Sequence, residues 1–160
     1  MTRMMIVDDN TQNLYLLRAL LEGEGCVVDE ARHGGEALLK ARRTPPALVV
    51  SDLLMPTMDG FALLREWKND PQLAGIPFVV YTATYVEPKD ERLARAMGAD
   101  AFLVKPAEPE ALLSCLRELL DRARRGQAPL AATPTLDDQD LLAQYNEVLV
   151  RKLEKRALQL

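Results

Sequence analysis

The 160-residue chain has little of what marks several functional classes. Its two cysteines, Cys26 and Cys115, lie too far apart in the sequence for a disulfide framework or a paired-cysteine metal motif. The formal net charge of −4 gives no support for direct contact with nucleic acid. No apolar run approaches the length of a signal peptide or a transmembrane span, so we expect a cytoplasmic protein without a membrane partner.

What the chain does have is a regular alternation of short apolar runs and amphipathic stretches. Hydrophobic residues make up 48% of the sequence, which is enough for a substantial core. The alternation occurs five times by about residue 125 and predicts an α/β fold, in which helices cover both faces of a parallel sheet. The predicted strands are residues 4–7, 27–31, 48–51, 76–82 and 101–104, and the predicted helices are residues 11–24, 36–43, 60–70, 89–97 and 109–125.

The sequence after this pattern has a different composition. Residues 126–135 combine small side chains with two prolines and no charge, which is typical of a linker. Residues 136–160 predict a helix with a heptad-like apolar seam, which is either a two-stranded parallel coiled coil that dimerises or an amphipathic helix that packs on its own domain. We therefore divide the chain into a domain at 1–125, a linker and a C-terminal helix. The seam includes Leu142, Asn146, Leu149 and Leu153.

Four of the predicted strands end in polar or charged residues. Asp8 and Asp9 follow the first strand, Asp52 follows the third, Thr82 ends the fourth, and Lys105 follows the fifth. Because the carboxyl ends of parallel strands share one edge of a sheet, these side chains are expected to meet there. Clustered carboxylates raise one another's pKa unless a cation compensates, and that cation is either Lys105 or a metal.

The chemistry of this cluster favours a hard cation. Carboxylate oxygens with room for water suit Mg²⁺, and the cluster has none of the soft ligands of a zinc site. A carboxylate beside Mg²⁺, an ammonium group and a hydroxyl group indicates phosphoryl transfer to that carboxylate. In such a site the metal and Lys105 neutralise the transferring group, and Thr82 donates a hydrogen bond to one of its oxygens.

Together these motifs resemble the receiver domain of two-component response regulators over about residues 1–125. The resemblance implies a flavodoxin-like receiver fold, a doubly wound five-stranded parallel sheet in the order 2-1-3-4-5, here with a C-terminal helical extension. It also implies a phosphorylation-dependent switch that is not a conventional enzyme, although it catalyses its own phosphorylation and dephosphorylation. The motifs are Asp8-Asp9, Asp52 with Met55-Pro56 and Met58-Asp59-Gly60, Thr82-Ala83, and Lys105-Pro106.

The resemblance also assigns roles to the cluster. Asp52 is the implied phosphoacceptor, and a histidine kinase or histidine phosphotransfer domain is the implied donor. Asp9 is the implied direct ligand of Mg²⁺, Asp8 acts beside it through water, and Asp52 and the backbone carbonyl of Leu54 complete the protein ligands. Lys105 is expected to pair with the phosphoryl group. Because an apolar Leu54 side chain cannot orient an attacking water, we expect slow to moderate autodephosphorylation.

The remaining expectations concern how the switch is read. The resemblance makes Thr82 and Phe102 the switch residues, which relay the state to the face formed by the fourth helix, fifth strand and fifth helix. That face and the C-terminal helix are the candidate homodimer surfaces. One alternative is an interaction scaffold of the same fold that works without phosphorylation. A flavodoxin-like FMN binder is disfavoured, because Asp8 and Asp9 stand where a phosphate loop would be needed.

Overall fold

The computed structural model describes residues 2–53, 60–82, 88–105 and 108–125. Strand and helix alternate strictly along these segments, as the apolar pattern predicts. The strands are β1 (Arg3–Val7), β2 (Val27–Ala31), β3 (Leu48–Ser51), β4 (Phe78–Thr82) and β5 (Ala101–Val104). The helices are α1 (Thr11–Gly23), α2 (Gly34–Arg43), α3 (Gly60–Asn69), α4 (Pro88–Ala96) and α5 (Pro109–Arg124).

The five strands form one parallel sheet in the order β2-β1-β3-β4-β5. This order confirms the predicted doubly wound α/β fold. The order changes direction between β1 and β3, and in such sheets the crevice at this point lies outside the carboxyl ends of the strands. The predicted linker at 126–135 and the predicted helix at 136–160 lie outside the described residues.

Two hydrophobic cores flank the sheet, and alternate residues of each strand point into opposite cores. One core lies between the sheet and helices α2, α3 and α4, with Trp67 and Phe61 fully buried in it. The other lies between the sheet and helices α1 and α5. Because both faces are covered, the central strand β3 is apolar up to Ser51, and all of its residues are buried.

The helix boundaries are close to those predicted, and capping explains the main difference. Asn10 caps α1, because its side chain accepts a hydrogen bond from the backbone N–H of Asn13 at 2.9 Å. Helix α2 begins at Gly34, two residues before the predicted start, because the ring nitrogen Nδ1 of His33 accepts from the Glu36 N–H at 3.2 Å. Sequence reasoning expected the glycines to precede the helix.

Across the four described segments, none of the helices combines the length and the hydropathy that a membrane crossing requires.

Candidate functional site

Three carboxylates meet at the carboxyl edge of the sheet. Strands β1 and β3 are neighbours with Val7 opposite Ser51, so the residues that follow them, Asp8 and Asp52, lie side by side. Asp9 completes the group, and each of the three offers an oxygen within 4.8 Å of the others. Asp8 and Asp52 are buried, whereas Asp9 is half-buried. The strand pairing therefore brings like charges together in a poorly solvated position.

Asp8 is held by hydrogen bonds from three different groups. Its carboxylate accepts from Lys105 Nζ at 2.6 Å, from the backbone N–H of Asn10 at 2.9 Å and from Asn13 Nδ2 at 3.3 Å. The contact with Lys105 is a charge-assisted hydrogen bond, which is stronger than a neutral one. These bonds fix the carboxylate against the first turn of α1 and compensate part of its charge.

Lys105 lies between the strand ends and faces more than one carboxylate. Its backbone N–H donates to the carbonyl oxygen of Thr82 at 2.9 Å, which extends the β4–β5 ladder by one bond. Its ammonium lies 3.8 Å from Asp52 Oδ2, farther than from Asp8. The ring centroid of Tyr81 lies 5.4 Å from the same nitrogen. Lys105 therefore supplies positive charge to the cluster while its side chain passes an aromatic ring.

Asp52 is buried among groups of both signs. Its Oδ1 accepts from the Leu53 N–H at 2.7 Å, and the Thr82 side chain also hydrogen-bonds to the carboxylate. Burial raises the pKa of Asp52 above its usual value, and the nearby charge of Asp8 adds to the rise. Lys105 and the hydrogen bonds oppose this rise. The result is a carboxylate whose charge is only partly compensated in the described structure.

Gly60 makes room for the end of β3. Its N–H donates to the Leu53 carbonyl at 2.5 Å, which brings the start of α3 directly against the residues that follow the strand. A Cβ at position 60 would lie 2.7 Å from Leu53 Cα and closer still to the Asp52 carbonyl oxygen. Both obstacles are backbone atoms, so no side chain rotation relieves the clash. Glycine is therefore required here by close approach.

The two predicted switch residues lie on the same face of the sheet. Thr82 is fully buried at the end of β4, and Phe102 is 7% exposed in the core beneath α3 and α4. The β4–β5 register places Phe102 opposite Val80, and Val80 lies two residues before Thr82 on the same face of the sheet. Their arrangement shows how they are packed, and it leaves the switch role of both residues as a prediction.

The structure brings together Asp8, Asp9, Asp52, Thr82 and Lys105, and their predicted roles remain predictions. Leu54, Met55-Pro56, Met58-Asp59, Ala83 and Pro106 lie outside the described residues. Three contributions were missed by sequence reasoning: the Asn13 amide, the Tyr81 ring and the close approach at Gly60. Gly60 was recognised as a helix start and as part of a family motif, but its close approach to β3 was not, because a close backbone approach has no local sequence signal.

With this geometry established, comparison with known proteins identifies the class. A family model described as the response regulator receiver domain matches residues 4–117. The chain belongs to the receiver domains of response regulators. These domains act in two-component signalling, typically bind Mg²⁺ at an acidic pocket and interact with histidine kinases or phosphotransfer partners.

Individual relatives agree with this class. Protein PilH of Pseudomonas aeruginosa is 34% identical over 120 residues, which are 75% of this chain and 98% of that protein. Response regulator PleD of Caulobacter vibrioides is 37% identical over 118 residues, which are 73% of this chain and 26% of that protein. The chemotaxis response regulator CheY4 of Vibrio cholerae is 32% identical with a TM-score of 0.69, covering 74% of this chain and 98% of that one.

The fold also matches a receiver domain that belongs to a histidine kinase. The signal receiver domain of a signal transduction histidine kinase from Syntrophus aciditrophicus is 34% identical. Its TM-score is 0.72, and the match covers 78% of this chain and 94% of that one. The similarity of fold thus extends to a receiver that is part of a kinase.

Proposed function

We propose that this chain is a phosphorylation-dependent switch in which Asp52 accepts a phosphoryl group from a phospho-histidine donor. In this reaction Asp52 forms a new bond between its carboxylate oxygen and phosphorus, the phosphorus–nitrogen bond breaks, and the histidine nitrogen keeps the electron pair and takes a proton. The observation that carries the proposal is the cluster of three carboxylates within 4.8 Å beside Lys105 and Thr82.

The donor set of the cluster supports Mg²⁺ as the cofactor. All three side chains offer carboxylate oxygens, which are the ligands that Mg²⁺ prefers. In our proposal Asp9, Asp52 and Asp8 hold the ion together with the Leu54 carbonyl. When bound, Mg²⁺ supplies positive charge that stabilises a transferring phosphoryl group. A cation here also opposes the two causes that raise the pKa of Asp52, which are its burial and, to a smaller extent, the charge of Asp8.

The other two residues handle the charge and position of the phosphoryl group. Lys105 already faces Asp8 and Asp52, so a small movement of its flexible side chain brings it to a phosphoryl oxygen. The Thr82 side chain is already hydrogen-bonded to Asp52, so any group added there competes for that hydroxyl. We propose that Thr82 then follows the phosphoryl group and that Phe102 repacks in response, which shifts the balance of two conformations at the α4-β5-α5 face.

The test is phosphorylation of the full chain by a small phosphodonor, followed by intact mass. The expected result is a gain of one phosphoryl group that needs Mg²⁺ and is prevented by a chelator. Asp52→Asn should abolish it, whereas the matched control Asp29→Asn should not, because Asp29 lies on β2 and pairs with Arg3 of β1, outside the cluster. Phosphorylation of the Asp52→Asn variant at the wild-type rate would refute the proposal.

An interaction scaffold without phosphorylation remains the competing function. The scaffold predicts no Mg²⁺-dependent change in the wild-type chain. Thermal unfolding with and without Mg²⁺ distinguishes the two, because an ion that binds only the folded state raises the melting temperature. We expect a rise in wild type that Asp9→Asn abolishes, with Asp29→Asn again as the control.

We further propose that the described domain is one part of the signalling unit. In this proposal residues 126–135 link it to a helix at 136–160 that dimerises. Mass in solution of the full chain, with and without beryllofluoride, tests the helix, and a monomer in both conditions refutes it. The expected slow to moderate autodephosphorylation is tested by the lifetime of the acyl phosphate, which Leu54→Asn should change.

A further inference from the structure

The Lys105 side chain must cross the end of a neighbouring strand to reach the carboxylates. Lys105 follows edge strand β5, whereas Asp52 follows β3 and Asp8 follows β1. Strand β4 lies between β5 and β3, and its last two residues are Tyr81 and Thr82. The ammonium nevertheless lies 2.6 Å from Asp8 Oδ2. The side chain therefore passes over the end of β4 in an extended path.

Tyr81 lies on that path. It pairs with Leu103 in the β4–β5 register, and Lys105 lies two residues beyond Leu103, so Lys105 starts on the same face of the sheet. The Tyr81 ring centroid is 5.4 Å from Lys105 Nζ, inside the limit of about 6 Å for a cation–π interaction. The contact thus joins the ammonium to the one aromatic side chain at the end of β4.

The ring itself is held in place by the core. Tyr81 is partly buried and packs against the cluster between the sheet and helices α1 and α5. A lysine side chain is flexible and loses much rotamer freedom when it is fixed in one geometry. A fixed aromatic face beside the ammonium favours the extended rotamers that reach the carboxylates. Lys105 is only 15% exposed, so the attraction is less screened than at the surface.

We propose that Tyr81 is a positioning residue, whose aromatic face holds the Lys105 ammonium in register with the phosphoryl group on Asp52. This inference rests on the proposed function. In this proposal Tyr81 contacts neither the phosphoryl group nor the metal, and it acts through Lys105. The proposed role depends on the aromatic ring and makes no use of the phenolic hydroxyl group.

Full-length variants separate this role from simple packing. Tyr81→Phe keeps the ring, whereas Tyr81→Leu keeps an apolar side chain of core type without an aromatic face. With a small phosphodonor and saturating Mg²⁺, we expect Tyr81→Leu to slow phosphorylation about threefold to thirtyfold. Tyr81→Phe should stay within about twofold of wild type. Equal rates for all three proteins would overturn the proposal, and Tyr81→Met replaces the leucine variant if that one fails to fold.

A double-mutant cycle shows whether the effect passes through Lys105. In a Lys105→Met background, where the ammonium is gone, Tyr81→Leu should cause no further slowing of the residual rate. Slowing by the same factor in both backgrounds would mean that Tyr81 acts through the core, which overturns the proposal.

A measurement without metal or phosphodonor tests the contact directly. A proton beside an aromatic ring is shifted by the ring current, so the Lys105 ε-methylene resonance should shift in Tyr81→Leu and stay near its wild-type position in Tyr81→Phe. An unchanged resonance in Tyr81→Leu overturns the positioning role. If wild type takes up no phosphoryl group, the proposed function fails instead, and this arm still decides whether Tyr81 positions Lys105.

Discussion

Asp100 and Asp52 are buried carboxylates at opposite edges of the sheet, and their charges are compensated in different ways. At the amino edge, Asp100 precedes β5 and is 4% exposed. Its Oδ2 accepts from Lys68 Nζ at 3.0 Å and from the Phe78 N–H at 2.8 Å. One cation and one backbone amide therefore converge on this carboxylate. The pair ties α3 to the starts of β4 and β5.

At the carboxyl edge, Asp52 is 8% exposed and accepts hydrogen bonds from the Leu53 N–H and the Thr82 side chain, but among the described residues it has no cation of its own. Lys105 is 3.8 Å away and closer to Asp8, and two further carboxylates lie within 4.8 Å. A buried charge with its own partners is costly to remove, because the partners are left uncompensated. A buried charge that shares its partners has capacity left for a metal or for a new covalent bond.

The largest effect that separates the edges is on chemistry. Asp52→Asn should lose phosphoryl uptake entirely, because the nucleophilic oxygen is gone. Asp100→Asn should keep most of the wild-type rate, because its side chain lies at the opposite edge of the sheet. Rates of phosphorylation from a small donor check both. A loss at Asp100 as complete as at Asp52 would show that the two edges are not independent.

The second effect concerns stability, and here we expect the large effect at Asp100, which has little effect on phosphorylation. Asp100→Ala should lower the free energy of unfolding by about 2 kcal/mol, because Lys68 and the Phe78 N–H lose a buried partner. Asp121→Ala, on the exposed side of α5, should cost less than about 0.5 kcal/mol. Urea unfolding measures both, and a similar cost for the two variants would contradict the comparison.

Glycine substitutions at the two edges extend the contrast. Gly60→Ala should cost about 1–3 kcal/mol and slow phosphorylation, because the new Cβ clashes with the backbone beside Asp52. Gly75→Ala should be nearly neutral, because a Cβ there meets nothing within 4 Å. Urea unfolding and phosphorylation rates measure the pair, and an equally tolerated Gly60→Ala would show that α3 can move away.

The smallest effect is on the pH dependence of stability, measured with a chelator present. Burial raises the pKa of Asp52 above 3.8 in the folded state. The contribution of Asp52 to the free energy of unfolding is therefore fully present below pH 3.8 and is lost as pH rises through the raised pKa. Asparagine does not ionise. Asp52→Asn should therefore be more stable than wild type at neutral pH, and the difference should shrink as pH falls toward 3.8.

Asp70 provides a control of opposite sign. The hydrogen bond from Arg42 is the main cause that lowers the pKa of Asp70. The contribution of Asp70 to the free energy of unfolding is therefore present above pH 3.8 and is lost as pH falls through the lowered pKa. Asp70→Asn should therefore be less stable than wild type at neutral pH. Thermal unfolding across pH checks both variants, and curves of the same sign would contradict the assigned causes.

Much of the fold could be predicted because parallel strands impose simple rules. Apolar runs predict the strands, and the shared edge of a parallel sheet predicts that Asp8, Asp52 and Lys105 are neighbours. The contacts that hold these side chains could not be predicted in the same way. Whether Tyr81 faces Lys105, or Gly60 meets the end of β3, depends on distances between elements remote in sequence, and no local pattern records them.

Strand β4 sends its last two residues to opposite cores. Thr82 enters the core that contains Phe102, whereas Tyr81 packs against the core of α1 and α5. Substitutions can therefore accumulate in one core without repacking the other. If Tyr81 and Phe102 act as proposed, natural variation at Tyr81 changes how fast the signal is acquired, and variation around Phe102 changes how the signal alters the α4-β5-α5 face. One strand would then let the two properties evolve separately.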